Sequence, residues 1–265
     1  MARTIKHYGR AALSKVGLFS KTALRLELDE IRPDDTFINS FPKSGNTWVR
    51  FLVAHLLSNE KQIDFRNIDD IIPDLYMFPD KVNAAKSPRF IKTHDQCASE
   101  FPKLIYISRD YRDVIISYFN YHRALGSYTN DLDHFIAEIG TTHPFGSWAD
   151  HISNALQLQH DHPERILFLH YEDLIANSEK ELQRIVAFTG LTPTVSLKEI
   201  VDSCSFLMLQ EKEKKTGSEF LDRSGKLFFR EGKSGGWRNI LTAEQQQLIL
   251  QDTRTTEMMK AMNYL

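Results

Sequence analysis

Four short apolar runs, separated by stretches of helical periodicity, constrain the fold of this chain more than any other feature. The runs are TFINSF (36–41), RFIKTH (89–94), KLIYISR (103–109) and RILFLHY (165–171), and each has the length and composition of a buried strand. Helical patterns cover 46–58, 111–124, 147–161 and 178–189. Strands that alternate with helices indicate a parallel sheet with helices on both faces, so we predict an α/β fold.

The 265 residues are predicted to form a single domain, because the sequence has no repeat, low-complexity tract or flexible linker. It also has no apolar run long enough to be an integral membrane segment. The net charge of −2 argues against a general nucleic-acid binder. Two cysteines, Cys97 and Cys204, supply neither a disulfide framework nor a metal cluster, so we predict a reduced compartment, by default the cytoplasm.

Three segments at the ends of these elements carry further predictions. The basic stretch 1–30 favours an amphipathic helix packed on the domain, over a targeting segment or a membrane-surface helix. Residues 208–236 are highly charged and rich in glycine, which predicts a long loop acting as a lid. The helix at 178–189 has Ser178 as a suitable N-cap and stops before Gly190, and a last helical pattern follows Thr242.

The turn between the first strand and the first helix reads FPKSGNTW (41–48). A glycine-containing turn that opens a helix presents backbone N–H groups and the positive end of the helix dipole, which together attract anions. Lys43 adds a positive charge, and Ser44 and Thr47 add hydroxyl donors. A phosphate group is therefore the expected ligand, although the lysine precedes the glycine, unlike in the nucleotide-kinase pattern. An ordinary turn with an incidental lysine stays open as the alternative.

Two further stretches could bind phosphate. Arg109 ends the third strand, and Ser117 lies about two helical turns into the next helix, so both could face one site. Arg230, Gly232 and Lys233 belong to the glycine-rich stretch FFREGKSGGW. The alternatives are a solvated Arg–Asp network for the first stretch and a solvated loop for the second.

Together the three stretches resemble those of the cytosolic-type sulfotransferases (sulfotransferase 1 domain), which use 3′-phosphoadenosine 5′-phosphosulfate (PAPS). FPKSGNTW is similar to their phosphosulfate loop YPKSGTTW, RDYRDVIISYF to R-x-x-x-D-V-x-x-S-Y-Y, and REGKSGGWRNILT to R-K-G-x-x-G-D-W-K-x-x-F-T. Shorter similarities occur in the family's order at KTH (92–94), GSWADH (146–151), YEDL (171–174) and CSFLML (204–209). The resemblance implies that residues 1–265 form one sulfotransferase domain with a P-loop-like phosphosulfate-binding turn.

The resemblance also implies a role for each matching residue. The phosphosulfate turn would bind the 5′-phosphate through Lys43, Ser44, Gly45, Asn46 and Thr47. The adenine would be contacted by Trp48, Phe206 and Tyr171. The 3′-phosphate would be bound by Arg109, Ser117, Arg230 and the backbone of Gly232. The catalytic set would be His94 as the base, Lys43 and Lys92 on the transferring group, and Ser117.

Several positions depart from the family patterns. Glu231 and Gly236 replace the lysine and aspartate of the third motif, and Asp95-Gln96 replaces the usual Leu-Pro after the histidine. The family's dimer signature K-x-x-x-T-V-x-x-x-E is degenerate here: Arg238 and Thr242 match it, whereas Ala243 and Gln247 do not, so a homodimer stays open.

The predicted activity is transfer of the sulfuryl group of PAPS to a hydroxyl or amino group of a small molecule, without a metal. A histidine suits the role of base because its ordinary pKa, about 6.5, lies near neutrality, and Asp95 is the next candidate. The candidate acceptor segments contain several aspartates, which favours a polar or cationic acceptor or a sugar-bearing lipid. These are Asp74, Asp80, Asp95, Asp131 and Asp133. The alternatives are sulfation of a glycan or glycolipid, a P-loop small-molecule kinase, and a non-catalytic nucleotide-binding protein.

Overall fold

A computed structural model describes residues 28–58, 62–96, 101–142, 145–229 and 232–265. Its strands are β1 (Thr36–Ser40), β2 (Phe90–Thr93), β3 (Lys103–Ser108) and β4 (Ile166–His170). The helices of the first half are α1 (Asn46–Leu57), α2 (Ile68–Ile71), α3 (Pro79–Ala84), α4 (Tyr111–Ala124), α5 (Leu132–Thr142) and α6 (Trp148–Asp161). Those of the second half are α7 (Tyr171–Ala176), α8 (Ser178–Thr189), α9 (Leu197–Ser203), α10 (Phe206–Thr216), α11 (Glu219–Ser224), α12 (Ala243–Leu250) and α13 (Thr253–Ala261). Short 3₁₀ turns cover Pro163–Arg165 and Gly236–Asn239.

The four strands form one parallel sheet in the order β2-β1-β3-β4. Thr36 of β1 pairs with Phe90 of β2 on one side and with Lys103 of β3 on the other, and Leu104 pairs with Ile166 of β4. All four predicted strands are therefore present, and the α/β prediction is confirmed. Because the strands are parallel, their carboxyl ends lie along the same edge of the sheet.

Successive strand side chains point to opposite faces of the sheet, and each face carries its own apolar core. Phe37 and Tyr106 pack on one face against helices α4 and α6, whereas Ile38 and Ile105 pack on the other against α1 and α8. These four side chains are completely buried. Helices therefore cover both faces, as the near-continuous apolar strands predicted.

Helix α8 was predicted with the correct bounds but with the wrong cap. The side chain of Asn177 accepts a hydrogen bond from the Lys180 N–H, so Asn177 is the N-cap, while the Ser178 hydroxyl donates to the Leu174 carbonyl. Gly190 ends the helix in the left-handed conformation, with φ 73°, as expected for a C-terminal glycine.

The prediction of one long loop over 208–236 is wrong, because helices α10 and α11 occupy most of this segment. Helix α10 has many charged side chains, and its buried face is narrow, formed by Leu209 and by Glu213 one turn later. Glu213 is completely buried, and its carboxylate accepts hydrogen bonds from the backbone N–H groups of Phe228 and Phe229. The lid role stays a prediction.

Some of the predictions fall on residues that the structure does not describe. Residues 1–27, which include most of the basic segment, lie outside the described residues, as do Cys97, Arg230 and Glu231. In the described part of the chain, none of the helices has the length and apolar character needed to cross a membrane.

Candidate active site

The carboxyl edge of the sheet borders a cavity of about 600 Å³. Each strand is followed by a residue that lines this cavity: Lys43 after β1, His94 after β2, Arg109 after β3 and Tyr171 after β4. This is the place where open parallel sheets bind ligands. The lining also includes most other residues singled out in the sequence, namely Gly45, Asn46, Thr47, Trp48, Lys92, Ser117, Phe206 and Gly232. Ser44 lies buried behind this surface, and Arg230 is outside the described residues.

The turn after β1 has a backbone that few residues could adopt. Gly45 has φ 105°, and a Cβ atom there would lie 2.6 Å from Cδ2 of Tyr171, so glycine is required on two grounds. Lys43 has φ 70°, which is uncommon for a residue other than glycine and is typical of functional sites. Helix α1 starts at Asn46 and has no acidic residue in its first turn, so no carboxylate of that turn offsets the positive end of its dipole.

Buried polar atoms in this turn divide into satisfied and unsatisfied ones. Both hydrogens of the Asn46 amide are donated, to the carbonyl oxygens of Ile38 and Thr93 at 3.2 Å each. Its side chain therefore ties the carboxyl ends of β1 and β2 together. The Ser44 Oγ and the Oδ1 of the same Asn46 amide are buried without a hydrogen-bond partner in the described parts of the chain. Burying an unpaired hydroxyl is costly, so the Ser44 hydroxyl would be stabilised by an anion that accepts from it.

Arg109 connects the turn to the glycine-rich loop. Its Nη1 donates to the Lys43 carbonyl at 3.1 Å and its Nη2 to the Lys233 carbonyl at 3.0 Å, while its guanidinium lies 4.2 Å from the centre of the Tyr171 ring. Burial raises the pKa of Tyr171, which keeps its hydroxyl protonated. The buried Nε of Arg109 has no partner among the residues that the structure describes.

Asp113 fixes the same loop to helix α4. Its carboxylate accepts hydrogen bonds from the N–H groups of Gly235 at 2.7 Å and Trp237 at 3.0 Å. Sequence reasoning did not assign it a role, although the aspartate stands within the quoted motif RDYRDV. Arg109 and Asp113 together hold the loop that carries Gly232 and Lys233 against the cavity.

Two aromatic rings stand at the predicted adenine position. The Trp48 ring is oriented by a hydrogen bond from its Nε1 to the Cys204 carbonyl at 2.9 Å, and it meets Tyr171 edge-on at 5.9 Å. Phe206 packs so closely on Gly232 that a Cβ there would lie 2.3 Å from Cδ2 of the ring. Both Trp48 and Phe206 line the cavity, and such rings suit the apolar faces of a purine.

His94 follows β2 directly, and its hydrogen bonds define its tautomer. Its Nδ1 lies 2.8 Å from the Ser40 carbonyl oxygen, which can only accept, so Nδ1 carries the proton. In the neutral ring the lone pair is then on Nε2. This is the arrangement that a general base requires.

Backbone contacts hold His94 in place from two sides. Its N–H donates to the Tyr76 hydroxyl at 3.2 Å, and its carbonyl accepts from Nε2 of His151 at 3.0 Å. Burial lowers the pKa of His151 to about 4, so this residue is neutral near pH 7, and its Nδ1 accepts from the Tyr106 hydroxyl. The neighbouring histidine therefore acts on His94 only as a hydrogen-bond donor.

Lys92 is paired with a carboxylate that sequence reasoning had considered only for the acceptor. Its Nζ lies 2.6 Å from Oδ2 of Asp74, and both side chains are mostly buried. Asp74 is itself held by the Tyr76 N–H, which donates to Oδ1 at 2.9 Å. Burial by itself would raise the pKa of Asp74, but the charge and hydrogen bond of Lys92 lower it below its ordinary value.

The rest of the cavity wall is rich in aromatic side chains. They are Phe65, Tyr76, Phe78, Tyr118, Tyr121, Phe145, Phe220, Phe228, Phe229 and Trp237. Of the five aspartates that favoured a polar acceptor, Asp74 alone is part of the described lining. Tyr121 and Phe228 were not singled out in the sequence, because a lone aromatic residue in an apolar or charged stretch carries no local signal.

Comparison with known proteins gives consistent matches over most of the chain. A family model described as “Sulfotransferase domain” matches residues 33–263. The mouse protein “Sulfotransferase 1 family member D1” is 31% identical over 257 residues, covering 86% of this chain and 85% of that protein. “Cytosolic sulfotransferase 5” of Arabidopsis thaliana is 29% identical and covers 82% of this chain and 78% of that protein. The crystal structure of mouse sulfotransferase SULT7A1 complexed with PAP superposes with a TM-score of 0.69 at 26% identity, covering 91% of this chain and 90% of that one.

Proposed function

The chain belongs to the sulfotransferase family, and we propose that it moves the sulfuryl group of PAPS to a hydroxyl or amino group of a small molecule, with His94 as the general base. The observation that carries this proposal is the meeting of His94, Lys43 and Arg109 in one cavity at the carboxyl edge of the sheet. The family assignment decides against the kinase and the non-catalytic binding protein, since the chain is a PAPS-dependent sulfotransferase.

Recognition of PAPS is supported by the donors of the turn and of the loop. The N-terminus of α1, Lys43 and the unsatisfied Ser44 hydroxyl suit the 5′-phosphosulfate. Arg109 and Ser117 line the cavity where the resemblance puts the 3′-phosphate, and Arg109 has an unsatisfied Nε. PAP, the product that PAPS leaves after transfer, is bound in the mouse structure similar to this one.

The reaction replaces the bond between sulfur and the bridging phosphate oxygen with a bond between sulfur and the acceptor. The acceptor oxygen or nitrogen forms a bond to sulfur while the bond between sulfur and the bridging phosphate oxygen breaks, and the electron pair of that bond leaves with PAP. Nε2 of His94 takes the proton of the acceptor group. Lys43 stabilises the negative charge that grows on the leaving phosphate oxygen, and Lys92 stabilises the sulfuryl oxygens, in the loose transition state typical of such transfers.

The cavity wall supports an acceptor with a ring-bearing apolar body and one polar substituent. Tyr76 and Phe145 lie beside His94, with ring centres 5.0 Å apart, so a flat apolar group could pack next to the base. The Asp74–Lys92 pair is on the same wall and could bind a hydroxyl or amino substituent. The purely polar acceptor and the glycan or glycolipid stay predictions.

Transfer of ³⁵S-labelled sulfate from PAPS to panels of hydroxyl and amine compounds tests the proposal directly. We expect label in ring-bearing alcohols, phenols or amines, and tighter binding of PAP than of ATP by calorimetry. Absence of transfer to every acceptor class, together with no preference for PAP over ATP, would contradict the proposed function.

The family assignment also bears on the cellular location of the protein and on its oligomeric state. We propose a cytoplasmic protein, which the name of the Arabidopsis relative, a cytosolic sulfotransferase, supports. The homodimer stays a prediction, since its signature is degenerate. Thr242, which matches that signature, has a local role as the N-cap of helix α12.

Asp74→Asn should lower kcat about tenfold, a change of ~1.4 kcal/mol in the barrier. The amide retains an acceptor for the Tyr76 N–H but removes the charge that holds the Lys92 ammonium at 2.6 Å. A mostly buried ammonium without its partner carboxylate is unfavourable and will turn away from the site. Steady-state kinetics at saturating PAPS measure the effect.

A double-mutant cycle with Lys92→Met tests whether Asp74 acts through Lys92. In the Lys92→Met background the Asp74→Asn substitution should cost nothing further. Asp80→Asn is the matched control, because this exposed aspartate lies in the same segment but outside the described lining. An additional tenfold loss in the Lys92→Met background would show that Asp74 does not act through Lys92.

The segment 208–236 should become protected when nucleotide binds. Gly232 and Lys233 belong to the loop that Arg109 reaches, so a ligand on Arg109 would order the loop and the helices before it. Hydrogen exchange followed by mass spectrometry should show slower exchange in peptides of this segment with PAP. Peptides from helix α8 serve as the internal control, and equal exchange with and without PAP in the segment would refute the lid.

A further inference from the structure

The ammonium of Lys43 lies on two aromatic faces. Its Nζ is 3.7 Å from the centre of the Phe228 ring and 4.5 Å from the centre of the Tyr121 ring. Both distances are within the range in which an ammonium is attracted by the negative face of an aromatic ring. The three side chains also line the same cavity.

The backbone of the same lysine is held separately. Lys43 has a left-handed backbone, and its carbonyl accepts a hydrogen bond from Nη1 of Arg109 at 3.1 Å. The lysine is thus held at its backbone by Arg109 and at its ammonium by the two rings. A long side chain that is fixed at both ends loses little conformational freedom when it meets a ligand.

Phe228 is fixed in turn by Glu213 of helix α10. The buried carboxylate accepts the Phe228 N–H at 2.8 Å, the Phe229 N–H at 3.2 Å and the Ser218 hydroxyl at 2.6 Å. Glu213 has no role in the reaction described above, yet it is completely buried. Buried carboxylates are costly unless they are hydrogen-bonded, so these contacts specify the backbone conformation at Phe228.

Tyr121 is supported on the other side of the lysine. Its ring stacks on Phe220 of helix α11, with centres 5.0 Å apart and planes 14° apart, and Phe220 meets Phe228 edge-on at 5.8 Å. The two rings under Lys43 are therefore joined through Phe220. The cradle of Phe228 and Tyr121 is a packed unit rather than a chance contact.

We propose that Phe228, held by Glu213, is a positioning residue that keeps the Lys43 ammonium directed at the bridging oxygen of the cofactor. This inference rests on the proposed function, in which Lys43 stabilises the leaving phosphate. An aromatic face attracts the ammonium and restricts the directions in which it can point. Lys43 therefore meets the phosphosulfate already oriented.

The test compares Phe228→Leu with Phe228→Tyr. Leucine fills much of the space but has no π face, so kcat should fall about tenfold, while the tyrosine variant should stay within about twofold of the wild type. The Kd for PAP should change less than kcat in both. Tyr121→Leu, which removes the more distant ring, should cause a smaller fall.

Two further measurements separate positioning from a general effect on folding. In a Lys43→Met background, Phe228→Leu should cause no additional loss of kcat. Phe188→Leu is the matched control, because Phe188 lies 5.9 Å from the ammonium of Lys103 and is not part of the described lining. It should leave kcat unchanged.

Three results would overturn the inference. They are an unchanged kcat in Phe228→Leu, an equal loss of kcat with and without Lys43, and a higher kcat in Phe228→Leu. A higher kcat would mean that Lys43 must leave the two rings before it can act. Each requires a wild-type protein that transfers sulfate. Failure of the wild type to transfer sulfate would instead contradict the proposed function, so the two failures are distinguishable.

Discussion

His94→Asn is expected to bind PAP as tightly as the wild type and to transfer sulfate about 10²–10⁴ times more slowly, the usual contribution of a general base. The asparagine amide can still donate to the Ser40 carbonyl in place of Nδ1, so the local structure is retained. It has no group that takes a proton in place of Nε2. Single-turnover transfer of labelled sulfate, with calorimetry of PAP binding, measures both quantities.

His55→Asn is the matched control for this substitution. Its Nδ1 lies 2.8 Å from the Phe51 carbonyl, so it makes the same kind of side-chain to backbone contact, but it is not part of the described cavity lining. The control should retain its turnover. If His94→Asn also retained most of its turnover, His94 would be structural and Asp95 would be the next base to test.

Arg109→Met is expected to abolish the preference for the 3′-phosphate. The wild type should bind PAP much more tightly than AMP, which lacks that phosphate, whereas the variant should bind the two alike. Losing one partner of a buried charge pair costs about 2–5 kcal/mol, so the Kd for PAP should rise at least ~30-fold. Calorimetry with both nucleotides gives the ratio.

The ratio of the Kd for AMP to the Kd for PAP matters because Arg109 also stabilises the structure of the site. Its hydrogen bonds to the Lys43 and Lys233 carbonyls will be lost in the variant, which by itself would weaken both nucleotides. Equal weakening of PAP and AMP would therefore identify Arg109 as a scaffold rather than a phosphate ligand. Arg254→Met, at a surface arginine paired with Asp150, controls for the loss of one positive charge.

The strands and main helices could be predicted because burial imposes a simple pattern on them. Ile105 and Tyr106 point to different faces, but both faces are covered, so the inner residues of β3, 104–107, are all apolar. Helix α10 was missed because its buried face is only Leu209 and Glu213. In a sequence, a glutamate that will be buried cannot be distinguished from one that will be exposed. Helix α9 was missed as well, although Ser196 and Glu199 form a capping box that the sequence shows.

Sequence motifs predict which residues form the site, but they do not predict the contacts between those residues. The motif FPKSGNTW indicates an anion-binding turn by its composition alone. The pairing of Lys92 with Asp74 and the placement of Lys43 on Phe228 join residues from distant parts of the chain. No local pattern encodes such contacts, because they depend on how the strands and loops are packed in three dimensions.

The amide of Asn46 has a consequence for how this site can change during evolution. By bonding the Ile38 and Thr93 carbonyls, it joins the turn that receives the donor to the strand that ends one residue before His94. The distance from donor to base is thereby set in part by contacts of the backbone. Substitutions at Phe78 or Phe145 can reshape the wall for a new acceptor without removing the two hydrogen bonds of Asn46.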